Sequence, residues 1–250
     1  MLISDISFCL RAMQREIEFV YLNFRNHPRG RTMLDALIEA DFVPALVIEE
    51  ASLPGQDGVE EQRSILKKLD DFVEIGDVEA LCRKKNIPYH IVENHNDPAC
   101  VDLIRSASIH LAVLGDTRII KESVIHECNL GIINVHPGLL PEIRGNNPYV
   151  WAILEGKAQG VTVHFIDKGV DTGPILLRRV LSEVPSSYPE LIRSINILCG
   201  EALVESLRQL GSGTFSIALQ PTECSPTRKA ASADLKRVAA QKLQECGVNA

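Results

Sequence analysis

The sequence has few aromatic residues, no excess of positive charge and no long hydrophobic run. Aromatic residues make up 5% of the 250 residues. The formal net charge of -7 removes the general attraction that supplies most non-specific nucleic-acid affinity. No segment approaches the roughly 20 apolar residues of a membrane span, and the N-terminus lacks the leading basic region of a secretory signal. We therefore expect a cytoplasmic protein with neither a nucleic-acid nor a membrane partner.

The seven cysteines are dispersed, and none forms the Cys-x-x-Cys pair typical of zinc sites and redox dithiols. Their odd number favours reduced cysteines that pack as small apolar residues. With an apolar content of 45%, the chain is long enough to bury a sizeable core. We expect one globular unit of ordinary size.

Short apolar runs alternate with segments of helical spacing. The predicted strands are Phe19–Phe24, Val43–Glu49, Tyr89–Glu93, Ile109–Leu114, Gly131–Val135, Val161–Ile166 and Ile175–Val180. The predicted helices are Thr32–Ala40, Val78–Lys85, Ile120–Cys128, Pro148–Glu155 and a long helix from a Ser187–Glu190 capping box to near Leu210. Because strands separated by helices pair in parallel, this order predicts an α/β fold with a doubly wound, mostly parallel sheet. In such sheets, ligands bind at the carboxyl ends of the strands.

The chain divides into three parts by composition. They are an N-terminal extension (1–17), a main domain (18–215) and a short C-terminal appendage of linker and helix (216–250). After Phe215 the chain becomes rich in Pro, Ser and Lys, and Ser232 is placed to cap a last helix. The appendage, about thirty residues long, is too short for an independent domain. Within the main domain, Glu49–Glu61 is expected to be a mobile acidic loop.

A dense group of polar and conformationally restricted residues follows the fifth predicted strand. Asn134 and His136 are two residues apart, so both side chains point to the same side of the extended chain. An irregular loop follows, fixed by Pro137, Gly138, Pro141, Gly145 and Pro148. Such a loop is a rigid platform for reacting groups. We predict that Asn134 and His136 share one site.

A second stretch of the sequence adds an acidic residue to the candidate site. The strand that begins near Gly160 runs into a Gly-rich loop with Asp171. An Asp beside a His holds the ring in one tautomer, raises its basicity and accepts or relays a proton. An amide with a protonated imidazole stabilises the oxyanion of an acyl-transfer intermediate. His164 shares a strand face with Thr162, and a satisfied core histidine explains it equally well.

Together, the two stretches resemble the 10-formyltetrahydrofolate-dependent formyltransferases. The family pattern Asn-x-His-Pro-x-Leu-Leu-Pro followed by Gly falls on Asn134–Pro141 and Gly145. The family's Gly-x-Thr-x-His strand, with a later Asp-x-Gly, falls on Gly160–His164 and Asp171–Gly173. The resemblance implies the Rossmann-like fold of that family and places its catalytic domain at 18–215.

The resemblance also implies a reaction and a set of roles. A formyl group would move from 10-formyltetrahydrofolate to a primary amine, without a metal. Asn134 and His136 would polarise the formyl carbonyl, while Asp171 orients His136, directly or through water, and helps to remove the amine's proton. Two loops would bind the folate, and their residues are Arg118, Ile119 and Ile120 in one loop and Lys168, Gly169 and Val170 in the other.

Departures from the family pattern bear on the acceptor. Gly138 stands where Ser is usual, which is expected to enlarge the site or loosen the loop. The Gly-Ser-Asn phosphate cradle of glycinamide ribonucleotide formyltransferase is replaced by Asn23–Arg31, so purine synthesis is not favoured. Arg144–Pro148 looks like the Arg-Gly-x-x-Pro segment of the tRNA and sugar branches, but no large RNA-binding domain is expected after Leu210. We therefore expect a small amine acceptor, an amino sugar or an amino-acid derivative, and leave the oligomeric state open.

Four residues are candidates for binding that acceptor: Arg29, Arg31, Asn146 and Asn147. Cations near the start of a helix, together with its free N–H groups, favour a phosphate or a carboxylate. A solvated basic loop is the alternative for the two arginines.

Three other functions use the same residues. Hydrolysis of 10-formyltetrahydrofolate needs only water in place of the amine, but the family's deformylases carry an extra N-terminal domain for which 1–17 leave no room. A zinc hydrolase based on His136, His164 and Asp171 has suitable ligand types but no close pair such as His-x-x-x-His. Retention of all three family residues makes an inactive folate-binding module less attractive.

Overall fold

The computed structural model describes residues 17–221 and 225–248. The strands in this part of the chain are β1 (Val20–Phe24), β2 (Leu46–Glu50), β3 (Tyr89–Val92), β4 (Leu111–Leu114), β5 (Gly131–His136), β6 (Arg144–Gly145), β7 (Gly160–Phe165), β8 (Ile175–Val180) and β9 (Thr227–Arg228). The helices are α1 (Pro28–Glu39), α2 (Leu53–Leu66), α3 (Val78–Lys85), α4 (Pro98–Ala107), α5 (Glu122–Glu127), α6 (Pro148–Glu155), α7 (Tyr188–Ser212) and α8 (Ala233–Val248).

Seven of these strands form the central sheet in the order β3-β2-β1-β4-β5-β7-β8. The first five are parallel, whereas β7 is antiparallel to both β5 and β8. The predicted mostly parallel sheet is thus confirmed. A parallel β7 would have to begin at the end of the sheet where β5 begins. The eight-residue helix α6 does not take the chain back to that end, so β7 runs antiparallel to β5. The chain leaves β5 at His136 and enters β7 at the same end, where His136 is the register partner of Thr162.

Both faces of the sheet are covered, which explains why its strands read as continuous apolar runs. On one face, α1 and α7 pack against the sheet through buried residues such as Leu34 and Leu203. On the other face, α4 and α5 contribute Ile104 and Val124. Burial of both faces leaves the ends of the strands as the places where polar side chains collect.

The segment expected to be a mobile acidic loop is largely helical, so that prediction was wrong. Glu49 ends β2, and α2 begins after Ser52, whose Oγ accepts a hydrogen bond of 3.4 Å from the backbone N–H of Gly55. The glycines that suggested a loop have another role here. A Cβ at Gly55 would lie 2.4 Å from Cδ1 of Phe24, so a close approach to β1 requires glycine.

The long helix α7 begins where it was predicted, but its capping contacts and its end differ from the prediction. Ser187 is the N-cap but makes no side-chain capping hydrogen bond, and Glu190 pairs with Arg193 at 2.6 Å instead. The helix continues to Ser212 and ends at Gly213, which has a left-handed φ of 69°. The last helix, α8, begins after Ser232 as predicted, with the backbone N–H of Leu235 donating to its Oγ at 3.3 Å.

The three-part division of the chain stays a prediction. Almost all of the proposed N-terminal extension, 1–17, lies outside the described residues. The part of 216–250 that the structure describes returns to the main domain instead of extending from it, through contacts given below. No helix among the described residues is both long and apolar enough to cross a membrane.

Two isoleucines on α7 provide a matched test of the core. Ile195 is 1% exposed, whereas Ile197 is 49% exposed. We expect Ile195→Ala to lower the free energy of unfolding by about 2–5 kcal/mol, because it removes buried methyl groups and leaves a cavity. Ile197→Ala should lower it by less than about 1 kcal/mol. Urea denaturation of both variants checks this, and equal losses would contradict the placement of α7.

Candidate active site

The register of β5 and β7 places three polar side chains together. β5 pairs with β4 as far as Ile133 and then extends beyond it, so Asn134 and His136 lie past the edge of the parallel strands. In the antiparallel pairing, Asn134 is opposite His164. Residues directly opposite each other have neighbouring side chains, and Nδ2 of Asn134 lies 3.1 Å from Nε2 of His164.

Asp171 lies between the two histidines. Its Oδ2 is 3.6 Å from Nδ1 of His136, and its Oδ1 is 3.8 Å from Nε2 of His164. The backbone N–H of Gly145 donates to Oδ2 at 2.9 Å, and the side chain is 13% exposed. The structure therefore brings together all three residues proposed as the catalytic centre. In residues 17–221 and 225–248, no three His, Cys, Asp or Glu side chains are arranged to hold a metal ion.

The hydrogen bonds of His136 determine which nitrogen is basic. Its Nε2 lies 2.8 Å from the carbonyl oxygen of Ile143, and a carbonyl only accepts, so Nε2 carries the proton. Burial lowers the pKa of His136, although the nearby Asp171 carboxylate raises it. In the neutral ring, the lone pair is therefore on Nδ1 and faces Asp171. Two acceptors separated by 3.6 Å are suited to receive one N–H group placed between them.

His164 is neutral and fixes the orientation of an amide. Its Nδ1 donates to the carbonyl oxygen of Phe165 at 2.9 Å, so its Nε2 accepts from the Asn134 amide. Burial lowers the pKa of His164 to about 4, against an opposing effect of Asp171. The nitrogen end of the Asn134 amide is thereby directed into the cluster. The ring is satisfied by hydrogen bonds, as expected of a core histidine, and one of those bonds is to the proposed catalytic residue Asn134.

Gly138 does not enlarge the site, so that expectation was wrong. A Cβ at this position would lie 2.6 Å from Cβ of Pro148 and 3.0 Å from Nε2 of His136. The loop is also held, because Thr162 Oγ1 donates to the carbonyl of Gly138 at 2.8 Å and accepts from the N–H of Leu140 at 3.0 Å. The missing side chain lets the loop pack against the histidine.

The first of the two proposed folate loops is fastened by a buried carboxylate. Nε of Arg118 donates to Oε2 of Glu50 at 2.8 Å, and Glu50 also accepts from the backbone N–H of His95 at 2.8 Å. Burial opposes the charge of Glu50, but the hydrogen bonds from His95, Arg118 and Ser52 lower its pKa well below its ordinary value. The side chain of Ile119 is exposed, and that of Ile120 is buried.

The second proposed folate loop lies beside the first. Nζ of Lys168 is 2.7 Å from Oε1 of Glu122, which begins α5 two residues after Ile120. The backbone N–H of Gly169 donates to Asp167 at 2.9 Å, and the carbonyl of Val170 accepts from Nη2 of Arg144 at 2.5 Å. The two loops are therefore neighbours, and their binding of folate stays a prediction.

The proposed acceptor residues already have partners. Nη2 of Arg29 lies 2.5 Å from Oδ2 of Asp116, just beyond the end of β4, and Nε of Arg31 lies 2.9 Å from Oδ2 of Asp35. Both arginine charges are thus balanced. The remaining two candidates contact the C-terminal segment: the N–H of Asn146 donates to the Arg228 carbonyl at 3.0 Å, and Oδ1 of Asn147 accepts from the N–H of Ala231 at 3.0 Å. Their roles in binding an acceptor stay predictions.

Sequence reasoning missed a buried polar network at the ends of β1 and β4. The amide of Asn23 donates to Oε1 of Glu49 at 3.0 Å and accepts from the N–H of Asp116 at 3.0 Å. Nε2 of His27 lies 3.4 Å from Oδ2 of Asp116, and burial lowers the pKa of His27 to about 4. A polar residue at the end of an apolar strand was the available signal.

Known proteins are similar to this chain in sequence and in fold. A family model described as formyl transferase matches residues 62–192, a range that contains β5, β7 and the loops after them. The chain belongs to the formyl transferase family. This confirms the resemblance drawn from the two motifs.

Individual relatives of this formyl transferase chain extend the comparison. The methionyl-tRNA formyltransferase of Chlorobium phaeovibrioides is 28% identical over 75% of this chain and 56% of its own length. The chain spans about half the length of the curated relatives it matches. The crystal structure of glycinamide ribonucleotide transformylase 1 from Symbiobacterium toebii has a TM-score of 0.61 and 20% identity, covering 82% of this chain and 94% of its own.

A further solved structure comes from a third kind of formyltransferase. PseJ from Anoxybacillus kamchatkensis, in complex with UDP-4,6-dideoxy-4-formamido-L-AltNAc and tetrahydrofolate, has a TM-score of 0.52 and 20% identity over 67% of this chain and 94% of its own. These likenesses confirm the predicted formyltransferase fold.

The protonation states of the site lead to a direct test. We expect His164 to titrate with a pKa of about 4 and to carry its proton on Nδ1 at neutral pH. Asp171→Asn should lower the pKa of both His136 and His164, because the carboxylate that favours their charged forms is gone. Long-range ¹H–¹⁵N spectra recorded against pH measure both effects. A rise of either pKa in the variant would contradict the arrangement.

Proposed function

We propose that this protein transfers a formyl group from 10-formyltetrahydrofolate to the primary amine of a small metabolite, an amino sugar or an amino-acid derivative. The observation that carries the proposal is the cluster of Asn134, His136 and Asp171 at the carboxyl edge of the sheet, in a chain of the formyl transferase family. An amide donor, a neutral imidazole and a carboxylate provide the groups that formyl transfer requires.

The first requirement is to stabilise negative charge. When an amine attacks the formyl carbon, negative charge develops on the formyl oxygen. Asn134 uses one amide hydrogen to bond His164, and an amide nitrogen has a second hydrogen to donate. A donor held in advance needs no reorganisation when the charge develops, which is the basis of oxyanion stabilisation.

The second requirement is to remove a proton from the attacking nitrogen. Nδ1 of neutral His136 and Oδ2 of Asp171 are both acceptors, and an N–H group in the gap between them is within reach of both. The carboxylate is held by the Gly145 N–H, so its orientation does not depend on the histidine. We assign proton removal to this pair, with Asp171 balancing the positive charge that develops. The bond between the formyl carbon and N10 of the donor then breaks, and the proton taken from the amine passes through this pair to N10 of the departing tetrahydrofolate.

The formyl donor would be held by the two neighbouring loops. Arg118, Ile119 and Ile120 would bind it from one side, and Lys168, Gly169 and Val170 from the other. Backbone groups in loops of this kind suit the amide-like edge of a pterin. The tetrahydrofolate in the PseJ complex supports a folate donor for this fold.

Charge supports a small acceptor. The formal net charge of -7 does not favour a large polyanion such as tRNA. Arg29 and Arg31 each pair with an Asp side chain, so they are separate, locally balanced cations and not an extended basic surface of the kind that binds a nucleic acid. These two arginines, with Asn146 and Asn147, remain the proposed acceptor-binding residues. The formamido sugar nucleotide bound to PseJ is the formylated form of an acceptor of this class in a related fold.

The catalytic assignment predicts a specific pattern of losses. Asn134→Ala, His136→Ala and Asp171→Asn should each lower turnover by about 10²–10³, because each removes a donor, a proton acceptor or a charge used in the transition state. Affinity for tetrahydrofolate should remain nearly unchanged. Steady-state kinetics and fluorescence binding measure the two quantities separately. The combined variants should lose little more than the single ones, since residues acting as one unit fail together.

Asp102→Asn is the matched control for these variants. Asp102 is an exposed residue of α4, where it pairs with Arg105, and its substitution should leave turnover unchanged. Wild-type turnover in Asp171→Asn, measured with a verified acceptor, would remove Asp171 from the mechanism.

The acceptor class is tested by a screen of amines. We expect purified protein to release tetrahydrofolate from 10-formyltetrahydrofolate only when a small amine is present, with the formyl mass appearing on that amine. Amino-sugar nucleotides, amino acids, glycinamide ribonucleotide and methionyl-tRNA are supplied in separate reactions. Formylation of methionyl-tRNA alone would contradict the small-amine proposal, and release of formate without any amine would indicate a hydrolase.

A further inference from the structure

The chain crosses back to the candidate active site after α7. Residue Ala218 exchanges two backbone hydrogen bonds with Ile175 at the start of β8, at 2.8 and 2.9 Å. Further on, β9 pairs in parallel with β6, which lies in the loop after His136. We use the name strap for residues 216–221 and 225–231. It includes the described part of what the sequence suggested was a linker.

The strap holds the backbone of the residue that carries the catalytic carboxylate. Nε2 of Gln220 donates to the carbonyl oxygen of Asp171 at 3.0 Å and to that of Gly173 at 2.7 Å, so both amide hydrogens are used. Asp171 has a φ of 54°, in the left-handed region, which non-glycine residues adopt infrequently although Asp tolerates it better than most. Surrounding contacts must hold such a backbone in place.

The strap also holds the loop that donates to Asp171. The N–H of Gly145 bonds the Asp171 carboxylate, and the next N–H, that of Asn146, donates to the carbonyl of Arg228 at 3.0 Å. A Cβ at Gly145 would lie 2.2 Å from that same carbonyl oxygen, and its φ is 94°. Only glycine permits this approach.

Arg144 connects the loop after β5, in which it lies, to the loop that carries Asp171 and to the strap. Its Nε donates to the carbonyl of Val170, next to Asp171, at 3.1 Å, and its Nη1 donates to the carbonyl of Ser225 in the strap at 3.1 Å. The strap in turn is anchored to α6: Nε of Arg228 lies 2.7 Å from Oε1 of Glu155, and Nε1 of Trp151 donates to the carbonyl of Lys229 at 3.1 Å.

We propose that the strap positions the catalytic carboxylate and that Gln220 is its principal positioning residue. Gln220 contacts backbone carbonyls and none of the three proposed catalytic side chains, so it acts through Asp171. The polar contacts of the strap described above lie on the start of β8, on the two loops that meet at Asp171 and on α6. Holding a reacting group to within a fraction of an ångström is what such supporting contacts achieve. This inference rests on the function proposed above.

The consequence for the site is electrostatic. Asp171 raises the pKa of both His136 and His164. If the loop that carries Asp171 relaxes, its carboxylate moves away from the two imidazole rings. The pKa values of both histidines then fall further, and the distance between Nδ1 of His136 and Oδ2 of Asp171 increases. A structural role confined to stability would leave these pKa values unchanged.

Gln220→Met tests the proposal because methionine has a similar length and no N–H donors. In the described part of the chain, Oε1 of Gln220 is buried without a hydrogen-bond partner, so the substitution also removes an unsatisfied acceptor and should not prevent folding. We expect kcat to fall by about 10–100-fold, as a misplaced reacting group does, with little change in KM for the formyl donor. Leu219→Met, at an exposed neighbouring position, is the control and should match the wild type.

Two further measurements keep the outcomes separate. Histidine titration by NMR, which needs no substrate, should show lower pKa values for His136 and His164 in Gln220→Met. If Gln220→Met does not fold, Arg228→Gln, which loosens the strap at α6, should also lower kcat.

Wild-type kcat and unchanged histidine pKa values in Gln220→Met would overturn the positioning role. Failure of the wild type to formylate any amine would instead overturn the proposed function, while the titration still tests the strap.

Discussion

The antiparallel pairing of β5 with β7 is the constraint on which the site depends. It places Asn134 opposite His164 beyond the edge of the parallel strands, where the chain is free to form loops over them. Side chains alternate along a strand, so a shift of one residue would turn His164 to the other face of the sheet and break its bond to the Asn134 amide. The loop that carries Asp171 follows β7 directly, so the same register also places the carboxylate.

Electrostatic balance organises the strand ends around this cluster. Three carboxylates there have fixed partners: Glu50 pairs with Arg118, Asp116 pairs with Arg29, and Asp171 receives the Gly145 N–H. Removing a charge from water is costly unless such partners are in place. The two histidines beside Asp171 remain neutral because burial disfavours their charged forms. The result is a site whose donors and acceptors are arranged before a substrate binds, which is the condition for electrostatic catalysis.

The sequence predicted those features that have a local signature. Apolar runs located all seven strands of the central sheet, and the two-residue spacing of Asn134 and His136 predicted that they share one site. Helix α2 was missed because Gly55 reads as a loop residue, whereas its role is to allow contact with Phe24. The order of strands and helices along the chain does not indicate that β7 runs antiparallel to its neighbours.

Long-range contacts made through the backbone were also beyond prediction. The hydrogen bond between Asn23 and Asp116 joins residues 93 positions apart. The strap reaches the active-site loops largely through backbone carbonyls and N–H groups, which every residue possesses. The positioning role proposed for Gln220 therefore depends on contacts among the strap, the loop after β5 and the loop that carries Asp171.

The central claim is that Asn134, His136 and Asp171 surround the reacting carbon, and a crystal structure with a non-transferable analogue of 10-formyltetrahydrofolate tests it most directly. The account predicts that the formyl oxygen lies about 3 Å from Nδ2 of Asn134. It also predicts that the formyl carbon faces the gap between His136 and Asp171, with the carboxylate still bonded to the Gly145 N–H. A formyl group bound away from this cluster, or an Asp171 side chain turned out to solvent in the complex, would contradict the account.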